Sequence, residues 1–343
     1  MAKNVLPESS AQETEVKAVE GRRGFLSSLA SILLRQREAS IVIVAIVLVI
    51  YFQASNQAFL SAASVATLFQ YAAATTIIAT GEVMLLICGE MDLSAGMIFA
   101  LVPFVIYFVA QAGISMWVGI ILALILSGII GLFNGAITVF LKVPSFITTL
   151  GMIFLLEGVA LLISGGFPKL VPQEGLINVI MGHGLYAEII WAVVIVIIMQ
   201  IVLSYTRWGL HTVATGGNAL GASEVGINVN RIKIGNFILS AIFSGFAGIL
   251  ESFRITSMDP LAGGTNIMFM AIAGAVIGGT ALQGGLGTIV GAFLGVLVLS
   301  ILQDGFTLLG VSAFTFDVIL GIAILIAMIL NVRLRTWRER GTV

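Results

Sequence analysis

The sequence has 343 residues, of which 59% are hydrophobic and only 10% are charged, and its formal net charge is -1. A soluble domain carries about 25% charged residues, so this composition excludes an ordinary soluble protein. The single cysteine, Cys88, excludes an internal disulfide framework and a cysteine-based zinc cluster. The apolar residues come in runs of about 20, the length of a helix that crosses a membrane. These features predict an all-α, polytopic membrane protein.

Residues 1–38 differ from the rest of the chain because they are polar. The first part is rich in glutamate and predicts a soluble cytoplasmic tail. Apolar residues between Phe25 and Leu33 then share one helical face flanked by arginines, which predicts an amphipathic helix on the membrane surface. The "RRGFL" motif resembles a twin-arginine export signal, but the charged "RQRE" interrupts the apolar run that such a signal needs.

The membrane domain is expected between residues 39 and 331. Apolar segments that can cross the membrane number ten: 40–58, 63–86, 94–111, 115–141, 145–164, 187–205, 234–254, 266–281, 287–304 and 312–331. An even number of crossings places both termini on the same side. A basic tail follows at 332–343.

The lysine and arginine residues indicate which side this is. With the N-terminus inside, 14 of the 16 fall in cytoplasmic segments, and only Lys169 and Arg254 fall outside. Cytoplasmic loops of membrane proteins carry an excess of basic residues, so both termini are predicted to be cytoplasmic. The same orientation makes 206–233 a cytoplasmic loop.

Small residues recur at every fourth position of the fourth predicted span. They are Gly119, Ala123, Ser127, Gly131 and Gly135. Lipid tails provide no hydrophobic drive between helices, so helices in membranes associate where small residues let their backbones approach. This stripe predicts a face that packs against a neighbouring helix.

The cytoplasmic loop contains the ordered polar stretch "GGNALGASEVGINVNRIK", which begins at Gly216. Gly216 and Gly217 are expected to break the preceding structure. Asn218 is a favoured N-cap, Ala219–Val225 can form two helical turns, and Gly226 suits the left-handed position after a helix. The pattern predicts a short capped helix whose small side chains lie in water and let another protein approach. An ordinary interhelical loop is the alternative.

Four blocks, in the same order, resemble the ribose-type ABC importer permeases and cover most of residues 60–330. They are "GEMDLSAG" from Gly89, "KVPSFITTLGMIFLLEGVALLISGG" from Lys142, the "GGNALGASEVGINVNRIKI" loop, and "GGTALQGGLGTIVGAFLGVLVL" from Gly278, followed by "GVSAF". Departures from the family pattern occur at Glu90 and Met91, and at Leu286 and Thr288.

The resemblance implies a type II ABC importer-like permease of the bacterial inner membrane. Such permeases form a homodimer within membrane lipid, receive a sugar from a periplasmic binding protein and bind a cytoplasmic ATPase. The chain has no P-loop pattern, so ATP hydrolysis is assigned to that separate subunit, and no catalytic residue, cofactor, metal or nucleic acid is expected. The ATPase contact would be formed by the coupling-helix residues Asn218, Ala219, Gly221, Ala222, Ser223, Glu224 and Gly226.

Polar residues within the membrane are costly and are therefore functional candidates. The acidic residues inside predicted spans are Glu82, Glu157, Glu251 and Asp317, and each could instead be hydrogen-bonded in the bundle interior. Asp92 lies at the "GEMDLSAG" break, where it could line a translocation path or hold the break. The complete set of path candidates is Gln70, Asp92, Asn134, Phe146 and Thr149.

Two other function classes compete with an ABC permease. A self-contained secondary transporter would use the intramembrane carboxylates as proton sites, but it needs no capped cytoplasmic helix. A membrane-embedded enzyme would show paired His, Asp or Glu motifs, whereas His183 and His211 are far apart and outside the spans. The solute stays open among pentoses, hexoses, sugar alcohols and related small polar molecules; more distant similar permeases carry branched amino acids or nucleosides.

Cysteine labelling tests the predicted orientation. Cysteines introduced at Ser10 and Thr342 are expected to resist an impermeant thiol reagent in intact cells, because both termini are cytoplasmic. A cysteine at Lys169 should react under the same conditions. Labelling of either terminus before lysis would contradict the predicted topology.

Overall fold

The structure is a computed structural model that describes residues 37–172, 175–183, 186–312, 314–323, 325–326 and 329. The predicted surface helix and basic C-terminal tail lie outside the described residues. The first described helix begins at Arg37, two residues before the boundary predicted for the membrane domain, and that boundary stays a prediction.

Helices make up most of the described chain. They are α1 (Arg37–Ser55), α2 (Ala62–Ile87), α3 (Ala95–Leu101), α4 (Pro103–Gln111), α5 (Met116–Phe140), α6 (Ser145–Ser164), α7 (Gly175–Asn178), α8 (Ala187–Tyr205), α9 (Arg207–Gly217), α10 (Ala219–Glu224), α11 (Val229–Ile255), α12 (Gly264–Ile277), α13 (Ile289–Leu308) and α14 (Phe314–Ala323). A π-helical turn, Val179–His183, follows α7. The two-residue strands β1 (Lys169–Leu170) and β2 (Ser257–Met258) pair antiparallel. The predicted helical class is confirmed.

Within the described residues, seven helices are long and apolar enough to cross a membrane: α1, α2, α5, α6, α8, α11 and α13. The segments Ala95–Gln111, Gly264–Ile277 and Phe314–Ala323 are shorter apolar helices at the positions of the other predicted spans. A polytopic architecture is therefore supported, while the count of ten crossings and the side of the termini stay predictions.

Two predicted spans differ in detail from the structure. The 94–111 span is divided between α3 and α4, with Pro103 at the start of α4. Proline has no backbone N–H and cannot continue the helical hydrogen bonding of the preceding turn. The 266–281 span is shorter than predicted because α12 ends at Ile277. The glycine-rich segment that follows α12 is irregular, and its Gly284 and Gly285 adopt φ of 87° and 80°.

The predicted stripe of small residues on α5 is buried; Ser127, Gly131 and Gly135 lie against α11, whereas Gly119 lies against Ile106 of α4. A Cβ atom added to Gly131 would lie 2.5 Å from the Phe237 carbonyl oxygen, and one added to Gly245 would lie 2.0 Å from Ser127 Oγ. These distances are shorter than any normal carbon contact. The stripe therefore permits a backbone approach that larger side chains would prevent.

Close backbone approach at glycine also occurs between α11 and other helices, and between α12 and α13. A Cβ on Gly248 would lie 2.0 Å from the Phe99 carbonyl oxygen, and a Cβ on Gly81 would lie 2.6 Å from Ser240 Cα. Between α12 and α13, a Cβ on Gly295 would lie 2.0 Å from the Gly274 carbonyl oxygen. The core is thus built from close backbone contacts around α11.

Large apolar side chains cover the outer surfaces of the peripheral helices. Ile50 on α1, Ile121 on α5, Phe154 on α6 and Ile197 on α8 are each more than half exposed. A soluble protein rarely exposes such a continuous apolar surface. Lipid contact accounts for this surface in a protein with helices of spanning length.

Two alanine substitutions on α5 test the packing of this helix. Gly131→Ala should lower the melting temperature of the purified protein in detergent, because overpacking typically costs about 1–3 kcal/mol. Gly128→Ala is the matched control, since its Cβ would meet the Ile242 side chain at an ordinary 3.6 Å. An equal or higher melting temperature for Gly131→Ala would show that this face is not tightly packed.

Candidate functional site

The break between α2 and α3 is held by a buried carboxylate. Asp92 is fully buried, and its Oδ1 accepts hydrogen bonds from the Ser94 backbone N–H at 2.8 Å and the Ser94 hydroxyl at 2.5 Å. The Asn134 amide of α5 donates to Asp92 Oδ2 at 3.2 Å and to Ser94 Oγ at 2.9 Å. Buried polar groups need such partners, so these contacts account for irregular backbone inside the bundle.

A second buried carboxylate connects this break to two long helices. Glu82 of α2 accepts a hydrogen bond from the Ser240 hydroxyl of α11 at 2.8 Å. Its other oxygen accepts from the Asp92 backbone N–H at 3.3 Å. The network therefore joins α2, the break, α5 and α11. From the sequence, Asp92 could either line a translocation path or hold the break between α2 and α3. The network supports the second role.

The five path candidates from the sequence occupy different environments. Asp92 and Asn134 hydrogen-bond to each other. Thr149 is buried, and its hydroxyl donates to the Ser145 carbonyl of its own helix at 2.8 Å. Phe146 is 52% exposed on the outer surface, and Gln70 lines a cavity described below.

The acidic candidates also differ from one another. Glu82 and Glu251 have polar partners, whereas Glu157 forms no hydrogen bond or ion pair with any described residue. Asp317 is exposed on α14. Glu90, a departure from the family pattern, forms an ion pair with Lys233 at the start of α11, with Oε1 and Nζ 2.5 Å apart.

The short capped helix predicted in the loop is confirmed as α10. Asn218 Oδ1 accepts a hydrogen bond from the Gly221 N–H at 3.0 Å, which is the expected N-cap contact. Gly226 adopts φ of 87°, and the Ile227 N–H donates to the Ala222 carbonyl at 3.0 Å. The helix ends at Glu224, one residue earlier than predicted.

The preceding helix, α9, ends at the Gly216–Gly217 pair, as predicted, but Gly216 also makes a tertiary contact that the sequence did not reveal. A Cβ on Gly216 would lie 1.5 Å from the Ile87 carbonyl oxygen and 2.7 Å from the Gly285 backbone N. The Gly285 N–H in turn donates to the Ile87 carbonyl at 2.8 Å. Gly216 is therefore required where α9, the end of α2 and the 278–288 segment meet backbone to backbone.

The expectation that the small residues of α10 face water is wrong for Ala222. Ala222 is only 5% exposed, and a Cβ on Gly221 would lie 3.1 Å from the Asn218 amide nitrogen. The exposed residues include Leu220 and Val225, at 71% and 77%. Sequence reasoning missed this apolar pair, although exposed leucine and valine in a polar loop are themselves a signal of a contact surface.

A cavity of about 320 Å³ lies toward the other end of α11. Its wall includes Gln70 and Tyr71 of α2, Phe99 of α3, Glu251 of α11, Asn266 of α12 and Gln303 of α13. Asn236, near the start of α11, donates to the Met84 carbonyl at 3.3 Å. The 15 residues from Asn236 to Glu251 correspond to about 22 Å along the helix.

An ion cluster borders this cavity. Arg254 Nε lies 2.7 Å from Glu251 Oε2 and 3.3 Å from Glu188 Oε2, and its guanidinium carbon lies 5.9 Å from the centre of the Tyr71 ring. The sequence flagged Glu251 but not its partners. The spacing of Glu251 and Arg254, three residues apart on a helix, could have revealed that pair. Nothing in the sequence links Glu188 to them.

Cys88 follows α2 and is almost completely buried. Burial raises the pKa of its thiol to about 12. A thiol with this pKa is overwhelmingly protonated at neutral pH and reacts slowly. Labelling of Cys88 is therefore expected to be slow, so that labelling of an exposed introduced cysteine can be told apart from it.

Comparison with known proteins identifies the family. Residues 64–328 match the family model described as a branched-chain amino acid transport system / permease component. The chain belongs to this permease family. Its matches to sugar import permeases confirm the resemblance noted from the sequence. As a family member with several helices of spanning length, the permease is a multi-pass protein of the inner membrane.

Several relatives match this permease over most of their length. It is 39% identical over 308 residues to the xylose/arabinose import permease protein of Sulfolobus acidocaldarius, covering 87% of this chain and 85% of that protein. It is 30% identical over 321 residues to the ribose import permease protein of Escherichia coli K12, covering 92% and 98%. The ribose import permease protein of Bacillus subtilis is 34% identical over 289 residues, with 83% and 89% covered. No solved structure matches.

Substitution of Asn134 tests the buried network. Asn134→Leu removes the amide that donates to Asp92 and Ser94, and should destabilise the permease by about 1–3 kcal/mol because a buried carboxylate loses a partner. Thr149→Val serves as the control, since the Thr149 hydroxyl donates only to its own helix. Melting temperatures in detergent measure both effects, and equal values for the two variants would show that the network contributes no stability.

Proposed function

We propose that this permease is the transmembrane subunit of an ATP-binding cassette importer for a small sugar or sugar alcohol. Family membership and the relatives that import xylose, arabinose or ribose support this function. The observation that carries it is α10, a short capped helix on which Leu220 is exposed and which is followed directly by the exposed Val225. A self-contained carrier has no need for such a surface.

The proposed partner at α10 is a cytoplasmic ATPase. A docking surface typically has apolar residues at its centre and polar residues around them. Here the exposed apolar residues have Ser223 and Glu224 as exposed polar neighbours. Close to α10, the backbone of Gly216 touches the backbones of Ile87 and Gly285 directly. No side chain lies between them that could change its rotamer and so absorb a movement of α10. Movement of α10 on ATPase closure would therefore reach the end of α2 and the 278–288 segment directly.

The proposed importer has two further partners. A periplasmic binding protein would deliver the sugar at the end of the bundle remote from α10. A second copy of the permease would complete the pathway, and α6 is a candidate face for this contact. Gly151 and Gly158 of α6 have no neighbouring atom within 4 Å in the described structure, and Glu157 lies beside them without a described polar partner. An unpaired carboxylate in lipid is costly, so a second copy would shield it.

The contacts of the buried carboxylates argue against a proton-coupled carrier. Glu82 and Asp92 each accept hydrogen bonds that hold the break between α2 and α3. Loss of transport on adding a protonophore, with ATP held constant, would favour the carrier instead.

An arginine substitution on α10 tests the coupling role. Leu220 is exposed, so Leu220→Arg should leave folding within about 0.5 kcal/mol of the unsubstituted protein. Burying an unpaired charge at the contact should weaken ATPase binding roughly 100-fold or more. The measurements are co-purification of the proposed ATPase subunit with the permease and ATP-dependent sugar uptake.

A leucine at the opposite end of the bundle provides the control. Leu170 in β1 is 77% exposed, and Leu170→Arg should leave co-purification of the ATPase unchanged. Full ATPase binding and uptake in Leu220→Arg would reject α10 as the coupling helix. Parallel loss of folded protein would identify it as a structural loop.

A further inference from the structure

We propose that the cavity between α2, α3, α11, α12 and α13 binds the transported solute, and that it selects a neutral polyhydroxylated molecule. The inference rests on the proposed function and adds the place and chemistry of binding. At about 320 Å³ the cavity is near the lower end of ligand pockets, which span roughly 300–1,000 Å³. This size suits a monosaccharide.

Three carboxamide side chains match the chemistry of a sugar. Gln70, Asn266 and Gln303 come from three different helices and contribute to one wall. A carboxamide both donates and accepts hydrogen bonds, as a sugar hydroxyl does. Asn266 is exposed and Gln303 is half-buried, so both border a space that is still open to a solute.

Two aromatic rings contribute to the apolar part of the wall, together with aliphatic side chains such as Ile267 and Met270. Tyr71 is 49% exposed, whereas Phe99 is nearly buried, and both line the cavity. Arg254 lies within cation–π distance of the Tyr71 ring and restrains it. Ligand sites typically combine such apolar surfaces with a few polar groups that determine orientation. A sugar ring presents the same combination, with C–H faces and hydroxyl edges.

The charges around the cavity disfavour an anion. Among the described residues that line it, none is basic, and the charged one is Glu251. The nearby Arg254 is already bound to Glu251 and Glu188. A phosphate or carboxylate group would meet like charge without a free cation. A neutral solute needs no such partner.

Protection of an introduced cysteine tests this site. Leu261 lines the cavity and is 53% exposed, whereas the exposed Thr265 does not line it. The full-length Leu261→Cys and Thr265→Cys permeases in nanodiscs would be labelled with a hydrophilic maleimide. D-xylose, L-arabinose and D-ribose would be added in turn. With about 100 mM sugar and a Kd on the order of 10 mM, mass action gives roughly tenfold protection. This slowing is expected at position 261 and not at 265.

Substitutions in the wall separate a specific site from a general effect of sugar. Gln303→Leu and Asn266→Leu, combined with Leu261→Cys, should abolish protection while leaving the labelling rate without sugar unchanged. Thr307→Val, one turn along α13 and outside the lining, should retain it. D-ribose 5-phosphate and L-leucine, an anion and a zwitterion, should give no protection.

Several results would overturn the proposal. The first is that none of the three sugars protects the introduced cysteine at position 261 from labelling, and the second is that sugar slows labelling equally at positions 261 and 265. The third is that protection survives both leucine substitutions, and the fourth is that the charged probes protect as well as the sugars. The nanodisc experiment contains no ATPase. Its result is therefore independent of the Leu220→Arg test, and failure of the cavity site can be distinguished from failure of the importer function.

Discussion

The close approach of α11 to its neighbours is the constraint on which the rest of the structure depends. Gly81 of α2 lies against Ser240, and Gly245 and Gly248 of α11 lie against α5 and α3, at distances that no larger side chain would permit. Within lipid, such packing replaces the hydrophobic drive that holds a soluble core together. The Glu82–Ser240 hydrogen bond adds a polar connection at the same face. Helices that carry larger apolar side chains occupy the periphery.

This central helix also connects the two candidate sites. It has 27 residues and is therefore about 40 Å long. Its first residue, Val229, follows α10 closely, and its last turn contributes Glu251 and Arg254 to the cavity region. A continuous helix with close backbone contacts transmits a tilt with little internal deformation. Under the proposed function, a displacement of α10 would therefore alter both the α2–α3 break and the cavity wall.

Features that depend on neighbouring residues were predictable from the sequence. The Asn218 cap and the left-handed Gly226 follow from residue types a few positions apart. The α5 stripe follows from helical periodicity. The environments of Gly216 and Ala222 were not predictable because they depend on tertiary contacts. Gly216, for example, lies against Ile87, which is distant in the sequence. Glycine as a helix breaker and glycine as a close-contact residue look identical in sequence.

The ion cluster of Arg254, Glu251 and Glu188 beside the cavity affects which kind of solute this permease could bind there. The family description names branched-chain amino acids, whereas the relatives described above are named as xylose/arabinose and ribose import permeases. If the cavity binds the solute as proposed, an amino acid would bring a carboxylate into it, and Arg254 is the nearby described cation. Arg254 already binds Glu188, which is 2% exposed, and Glu251. Recruiting Arg254 to the solute would leave a buried carboxylate without its partner, and breaking a buried pair costs about 3–5 kcal/mol. Under the proposed function, a neutral sugar can enter without disturbing the cluster, whereas the carboxylate of an amino acid finds no free cation among the described residues there.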